Sequence, residues 1–287
     1  MSKLRTKVNT CFRRYPLFAI AIFARTPLPG KTKTRLIPLL GARGAADFQA
    51  ALLWDTLRKV NAYRGDVARY LFIAGKGLRG SSPTPSRGGL ANDPGRTAGP
   101  YLGQFSVARQ RGADLGARLQ SAFRSLLRRH VRVVVIGTDS PLLPLRILRE
   151  ALGELRICDA VLGPSLDGGY YLVGLRRLSR GLFRGIRWGS SHAFQDTLCN
   201  LLGPGYSCSV LEVGEDVDRP EDVRRLTKEL ARSRAARRLA PAVWRFLTGF
   251  HAVKWGRTAC APSDSSIAFL RPSRRGDPWA RGRSALP

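Results

Sequence analysis

The sequence predicts an α/β sandwich built around a mostly parallel sheet, and three features carry that prediction. Leu17 to Ala24 is an unbroken apolar run of strand length that closes on a turn rich in Pro and Gly, as in a strand covered on both faces. Segments of this kind then alternate with amphipathic helical stripes over about 220 residues. The β-branched run Val131 to Ile136 ends on Gly137-Thr138-Asp139-Ser140-Pro141, so a strand delivers a carboxylate to its tip. That end of a parallel sheet is where ligands bind.

After the first strand, Phe48, Leu52, Leu53, Leu57 and Val60 recur at helical spacing between Gly44 and Val60, and Arg69 to Ala74 reads as a second strand. Residues 75–112 are rich in Gly, Pro, Ser and Arg without periodicity and read as a long, mobile surface loop. Leu115, Leu119, Ala122, Phe123, Leu126 and Leu127 form one helical stripe ahead of the strand at Val131. A helix (Leu145, Leu148, Ala151, Leu152, Leu155) and a strand (Ala160 to Gly163) follow, then a Gly-rich turn with a strand (Asp167 to Leu175). Next come a helix through Phe194, Leu198 and Leu201 and a strand from Cys208 to Val213. Asp218 with Glu221 three residues later resembles a capping box that starts a last helix. After about Leu239 the order fades into a segment rich in Arg, Ser and Pro, with Trp244, Phe246, Phe250 and Trp255 scattered in it. The expected organisation is a basic extension (1–16), one folded domain (17–238) and a basic, partly disordered tail (239–287).

With 287 residues, 44% of them hydrophobic and 24% charged, the chain can bury a globular core. The best apolar run has eight residues, Leu17 to Ala24, where a membrane span needs roughly 18. The net charge of +29 divides as +5 on residues 1–16, +13 on 17–218 and +11 on 219–287. Only eight of the 49 basic residues are lysines, and they are scattered, so an Arg-biased composition accounts for much of the excess. The charge argues for an anionic ligand or surface and against nucleic acid as the main partner. A basic nucleic-acid or membrane-surface adaptor is the non-enzyme alternative.

Five cysteines, an odd number, lie far apart without a CxxC pair, which argues against a disulfide framework or a zinc knuckle and suits reduced thiols in a cytoplasmic protein. The basic start and the Ala19-Ile20-Ala21 pattern also have the look of a signal peptide. The elements that follow favour the competing reading, a buried first strand.

Four segments fall at predicted strand ends. In Thr26-Pro27-Leu28-Pro29-Gly30-Lys31-Thr32-Lys33-Thr34-Arg35, Gly30 lets the backbone approach a phosphate and Lys31, Lys33 and Arg35 can neutralise it. The spacing of a P-loop is absent, and a merely solvated basic turn is the bland alternative. Asp139 suits Mg²⁺ or Mn²⁺ bridging two phosphates, or caps the next helix. Gly163-Pro164-Ser165-Leu166-Asp167-Gly168-Gly169-Tyr170-Tyr171 places Asp167 and two tyrosines beside a cleft, or is simply a tight turn. Asp216 and Asp218 alternate after a strand, and Asp218 is open between helix cap and metal or substrate contact. No Cys/His pair or evident nucleophile suggests covalent catalysis. His192 and His251 are expected on the surface or at helix ends.

The ordered string F-A-R-T-P-x-P-G-x-x-K-T-R-L, D-L-G-x-R-L, G-T-D-S-P, L-G-P-x-x-D-G-G-Y-Y-L-V-G-L, W-G and D-V-D-x-P-E-D resembles the transferases associated with radical-SAM and selenodomain proteins. That family is similar to glycosyltransferases of the GT-A, nucleotide-diphospho-sugar transferase fold and includes arsenosugar-biosynthesis glycosyltransferases. The resemblance spans about residues 17 to 226 and implies a GT-A-like three-layer sandwich with a mixed, mostly parallel central sheet. It implies catalytic roles for Asp139 and Asp167. Nucleotide or phosphate contacts fall to Pro29, Gly30, Lys31, Lys33, Arg35, Asp114 and Arg118. Gly168, Gly169, Tyr170, Tyr171 and Trp188 would border the sugar or acceptor, and Asp139 and Asp218 would hold Mg²⁺ or Mn²⁺. The expected substrate is a nucleotide-diphospho-sugar, with a guanylyltransferase-like nucleotidyl transfer as the alternative. Arg25, where the family usually has Lys, and Ser190-Ser191-His192 after Trp188-Gly189 depart from the pattern, as do the 80–100 loop and both basic ends.

Overall fold

The computed structural model describes residues 15–75 and 99–254. The chain divides into a unit Met1–Phe250, which carries the sheet and the packing below, and a unit His251–Pro287, of which only residues 251–254 are described. Seven strands form one sheet: β1 (Phe18–Arg25), β2 (Val67–Ala74), β3 (Ser106–Arg109), β4 (Arg132–Ile136), β5 (Ala160–Pro164), β6 (Tyr170–Leu175) and β7 (Cys208–Val210). Their order is β3-β2-β1-β4-β6-β5-β7. β2 and β4 both run parallel to β1, β6 is antiparallel to its neighbours β4 and β5, and β7 is parallel to β5. The chain therefore winds outward from β1 to β3, then returns to add β4 on the other side. This leaves a topological switch point between the carboxyl ends of β1 and β4, where an open α/β sheet has its ligand crevice.

The sheet is a mixed, mostly parallel one with helices on both faces, as the sequence predicts. Strand side chains alternate, so Ile20, Ile22 and Ala24 pack with Leu53, Leu57 and Val60 of α1 (Ile37–Asn61) and with Ile147, Leu148, Ala151 and Leu152 of α3 (Leu145–Glu154). Ala19, Ala21 and Phe23 on the other face meet Leu119, Ala122, Phe123 and Leu126 of α2 (Leu115–Leu126) and Ala193 and Leu201 of α4 (Ala193–Leu202). A third core joins the first half of α1 (Leu40, Ala45, Phe48, Leu52) to α5 (Pro220–Arg232), α6 (Arg234–Leu239) and α7 (Pro241–Lys254).

Several expectations are corrected. α1 begins at Ile37 rather than near Gly44 because Gly41, at φ 72 and ψ 166, interrupts its first turns and hides the period. Residues 76–98 of the expected loop lie outside the described residues, but its last part forms a short 3₁₀ turn, Gly99–Gln104, and the edge strand β3. At four residues, mostly exposed, β3 is too short to show an alternation. The last strand stops at Val210, and beyond it a single bridge joins Ser165 to Gly214. Order does not fade after Leu239: Val243 and Leu247 of α7 are buried against α1, and Phe246 lies 5.6 Å from the Phe48 ring. The buried Asp55 carboxylate fixes this helix by accepting from the amides of Ala242 (3.1 Å) and Val243 (3.0 Å). Residues 1–14 and 255–287 of the two expected basic ends lie outside the described residues.

Candidate active site

The loop that leaves β1 carries the site. Thr26 is tied to the end of β2 through its amide and its hydroxyl, which donates to the Ala74 carbonyl at 3.0 Å. Gly30 turns the chain at φ 73, and Lys33 adopts a left-handed conformation at φ 45 and ψ 44. A non-glycine residue there costs about 1 kcal/mol or more, so packing must over-determine it. The compensating contacts are visible. The Lys33 side chain is 5% exposed, and its ammonium donates to Asp139 Oδ1 at 2.7 Å, Asp218 Oδ1 at 2.6 Å and the Val217 carbonyl at 2.7 Å. Its three donors are thus all satisfied.

One ammonium therefore joins the ends of β1 and β4 to the segment that follows β7. Burial pulls the Lys33 ammonium down, but Asp139 and then Asp218 outweigh it and hold it above the ordinary lysine range. Asp218 is held below the usual carboxylate range: burial opposes this, and Lys33 followed by Arg35 and Arg25 prevails. The helix-cap reading of Asp218 fails, because the N-cap of α5 is Arg219 and the amides of residues 218 and 219 donate to Asp222. Asp139 likewise caps nothing, since Pro144 precedes α3 without a side-chain cap.

Gln49, absent from the sequence motifs, and Asp216, noted there without a role, complete this centre. Buried Gln49 of α1 donates to the Thr138 hydroxyl at 3.0 Å, which donates to Asp139 Oδ1 at 3.3 Å, a relay that fixes the strand-end carboxylate. Asp216 is pushed up to about 6, first by burial and then by the charges of Asp139 and Asp167, although a short hydrogen bond from Ser140 opposes this. Asp167 thus belongs to the same electrostatic group, exposed on a turn where it accepts from the Gly169 amide at 2.9 Å. Gly168 is demanded by space and by its φ of 83: a Cβ would stand 2.1 Å from the Ser191 carbonyl oxygen. Pro29, Gly30, Lys31 and Arg35 are exposed on the loop.

Other expected ligand contacts are engaged in the fold. Tyr171 is buried between Gly163 and Gly214, and its hydroxyl donates to the Glu212 carbonyl at 2.9 Å. The Tyr170 hydroxyl is buried, and its ring meets Trp188 edge-on at 6.1 Å. Burial raises both phenols well above their usual range. Trp188 approaches the start of α2 because Gly116 has no Cβ, which would lie 2.9 Å from the indole nitrogen. Asp114 caps α2 by accepting from the Ala117 amide at 2.7 Å, and Arg118 donates to the Gly112 carbonyl at 3.1 Å. The D-L-G-x-R motif therefore has a sufficient local explanation.

Among the described residues no three His, Cys, Asp or Glu side chains converge to hold a metal. The donor chemistry still fits Mg²⁺ or Mn²⁺: Asp139 and Asp218 offer hard oxygens to one cation position, which the Lys33 ammonium fills, and such ions take their remaining ligands from water and phosphate.

The fold and this centre define an α/β protein with its site at the switch point of a mixed sheet. Residues 62–190 match a family model described as an uncharacterized protein conserved in bacteria, DUF2064. A crystal structure from Desulfovibrio desulfuricans G20, provisionally assigned as a nucleotide-diphospho-sugar transferase, is 29% identical. It covers 83% of this chain and 96% of its own, with a TM-score of 0.69, so the fold is that of nucleotide-diphospho-sugar transferase-like proteins. A 4-diphosphocytidyl-2C-methyl-D-erythritol synthase from Anaerococcus prevotii is 12% identical over 75% of this chain and 96% of its own, at a TM-score of 0.49. A cytidylyltransferase from Leptospira borgpetersenii is 13% identical over 86% and 100%, at 0.48. No curated protein sequence matches it.

Proposed function

We propose that this chain is a transferase that moves a sugar from a nucleoside diphosphate to an acceptor hydroxyl, in keeping with the radical-SAM- and selenodomain-associated transferases that its motif order resembles. The observation that carries the reading is the convergence of the β1 loop, the β4 tip and the segment 216–218 on Lys33 at the switch point. The provisional assignment of the Desulfovibrio protein, alike over most of both chains, supports the same class.

Lys31 and Arg35, exposed beside the left-handed turn, meet the diphosphate, and Gly30 allows its close approach. Asp139 and Asp218 would hold a divalent ion in the position that the Lys33 ammonium fills in this structure. Such an ion neutralises charge on the leaving diphosphate. Gln49 and Thr138 keep Asp139 aimed at it, and Asp216, raised by burial, stands behind as a hydrogen-bond anchor for Ser140. Asp167, exposed on its Gly-rich turn, takes the proton of the acceptor hydroxyl.

The test is a thermal-shift panel of nucleoside diphosphates, diphospho-sugars and triphosphates, with and without Mg²⁺ or Mn²⁺, on wild type and Asp139→Asn. Metal-dependent stabilisation by a diphospho-sugar, lost in the variant, is expected. Preference for a triphosphate would replace the reading with nucleotidyl transfer, and a flat response to every nucleotide would remove it.

A further inference from the structure

The amino-terminal end of the sheet, opposite the candidate active site, carries an unexplained surface. Its connecting segments, residues 62–66, 127–131, 155–159, 176–181 and 203–207, hold seven arginines and two aspartates. Arg177 pairs with Asp159 at 3.2 Å and lies over the Tyr206 ring. Arg124 and Arg128 from the end of α2, and Arg176 and Arg180 from the segment after β6, line one open concavity. Their guanidinium groups make no hydrogen bond or ion pair among the described residues. Four unpaired guanidinium groups on one concave surface repel each other until an anionic partner relieves them.

Apolar side chains stand out at the same end. Ile157, just before β5, is 75% exposed, Leu202 at the end of α4 is 55% exposed, and Leu17 before β1 is 39% exposed. We infer that this end docks on an anionic lipid bilayer, with arginines at the phosphate level and the apolar tips in the interface. The apolar tips decide between lipid and nucleic acid: a bilayer interface rewards buried aliphatic area, and a phosphodiester backbone does not. Of the tyrosine rings at this end that could stack on bases, Tyr15 is covered by Arg129 at 5.5 Å, Tyr206 is buried beneath Arg177, and Tyr63 packs against the core. In that orientation the strand tips that bear Lys33 and Asp139 face away from the membrane. The inference is independent of the reaction proposed above.

The experiment is co-sedimentation of the full chain with vesicles of phosphatidylcholine alone, or with about one third phosphatidylglycerol, at low and high salt. Binding only to the anionic vesicles, weakened by salt, is expected. Each basic side chain near such a surface contributes on the order of fivefold, so R124Q/R128Q/R176Q/R180Q weakens binding by about six hundredfold. These side chains have no partners to lose, so its melting temperature and circular dichroism stay those of wild type. Removing four arginines of the carboxy-terminal sequence instead, in R271Q/R274Q/R275Q/R281Q, changes affinity by about threefold at most. I157S/L202S weakens vesicle binding about tenfold and leaves oligonucleotide binding unchanged. Equal binding to neutral vesicles, loss of binding in the second quadruple variant but not the first, or tighter binding to an oligonucleotide of equal phosphate content would each overturn the inference.

Discussion

The two ends of the sheet are built on the same strands and carry opposite charge. At the carboxyl end, the described segments 26–36, 110–114, 137–144, 165–169 and 211–219 hold five basic and seven acidic residues, within a chain that has 49 against 20. There the central cation has partners: Lys33 has two carboxylates, and flanking Arg146 holds Glu212 through two contacts of 2.7 and 2.6 Å, while Lys31 and Arg35 stay exposed at the rim. At the amino end the ratio reverses and Arg124, Arg128, Arg176 and Arg180 face outward without partners. Net charge summed over the chain hides this division. A charge inside a satisfied network fixes geometry, whereas an unpaired one offers binding energy to something else.

The largest effect should come from Asp139→Asn. Removing one of the two carboxylates that would hold the ion neutralising the leaving diphosphate lowers transfer rate by about a thousandfold. Vesicle binding by the amino end is unchanged in the same variant. A joint loss of both, measured by product assay and co-sedimentation, would break the separation of the two ends.

Lys33→Met comes next. It leaves Asp139 and Asp218 facing each other without their cation, and since both carboxylates are part-exposed the expected loss is about 3 kcal/mol, the low end for a broken buried pair. Urea unfolding measures it, and excess Mg²⁺ should restore part of the stability in the variant more than in wild type. An unchanged midpoint would mean that the ammonium does not hold the carboxylates together.

Much of this frame was legible in the sequence, because apolar runs and helical stripes report burial directly. The run through Ala19–Ala24 and the stripe through Leu52, Leu57 and Val60 are core, and Asp139 stands at the strand tip where the pattern put it. What pairs with what was not legible. That Lys33 meets Asp218 depends on a contact across 185 positions, and Asp218-Arg219-Pro220-Glu221 looks locally like a cap. Tyr171 reads as a ligand contact until Gly163 and Gly214 are seen to form its slot. Gln49 did leave a signal: it is a polar residue inside an apolar stripe with Ala45, Phe48, Leu52 and Leu53, a position that asks for a buried partner. Leading into and along α7, Ala240, Val243, Trp244, Leu247 and Phe250 do recur at helical spacing, but the Arg, Ser and Pro of the sequence around them hide that stripe.

Asp55→Ala tests whether the third core is separate from both ends. It removes the acceptor for the first amides of α7 and leaves them buried, which costs about 2 kcal/mol in urea unfolding. The nucleotide-induced thermal shift and vesicle binding of the folded variant should match wild type. A lost nucleotide response would place α1 and α7 within the site's own support.

The smallest effect contrasts two buried lysines. Lys33 faces two carboxylates and is held above its ordinary range, while the Lys59 ammonium donates to the carbonyls of Pro141 (2.6 Å) and Leu143 (3.2 Å). Burial pulls Lys59 down to about 8; Asp55 opposes this, and Arg58 adds to it. In the unfolded chain a lysine titrates near about 10.4. From pH 8 upward the folded state therefore releases the Lys59 proton first, the unfolded state holds more protons, and stability rises with pH. Lys33 adds nothing in this window, since its folded value lies above the unfolded one and its contribution is lost only at higher pH. Wild type should gain about 1 kcal/mol between pH 8 and pH 10 in urea unfolding, and Lys59→Met should lose that slope. An unchanged slope in the variant would show that carbonyl contacts keep Lys59 charged as effectively as carboxylates keep Lys33.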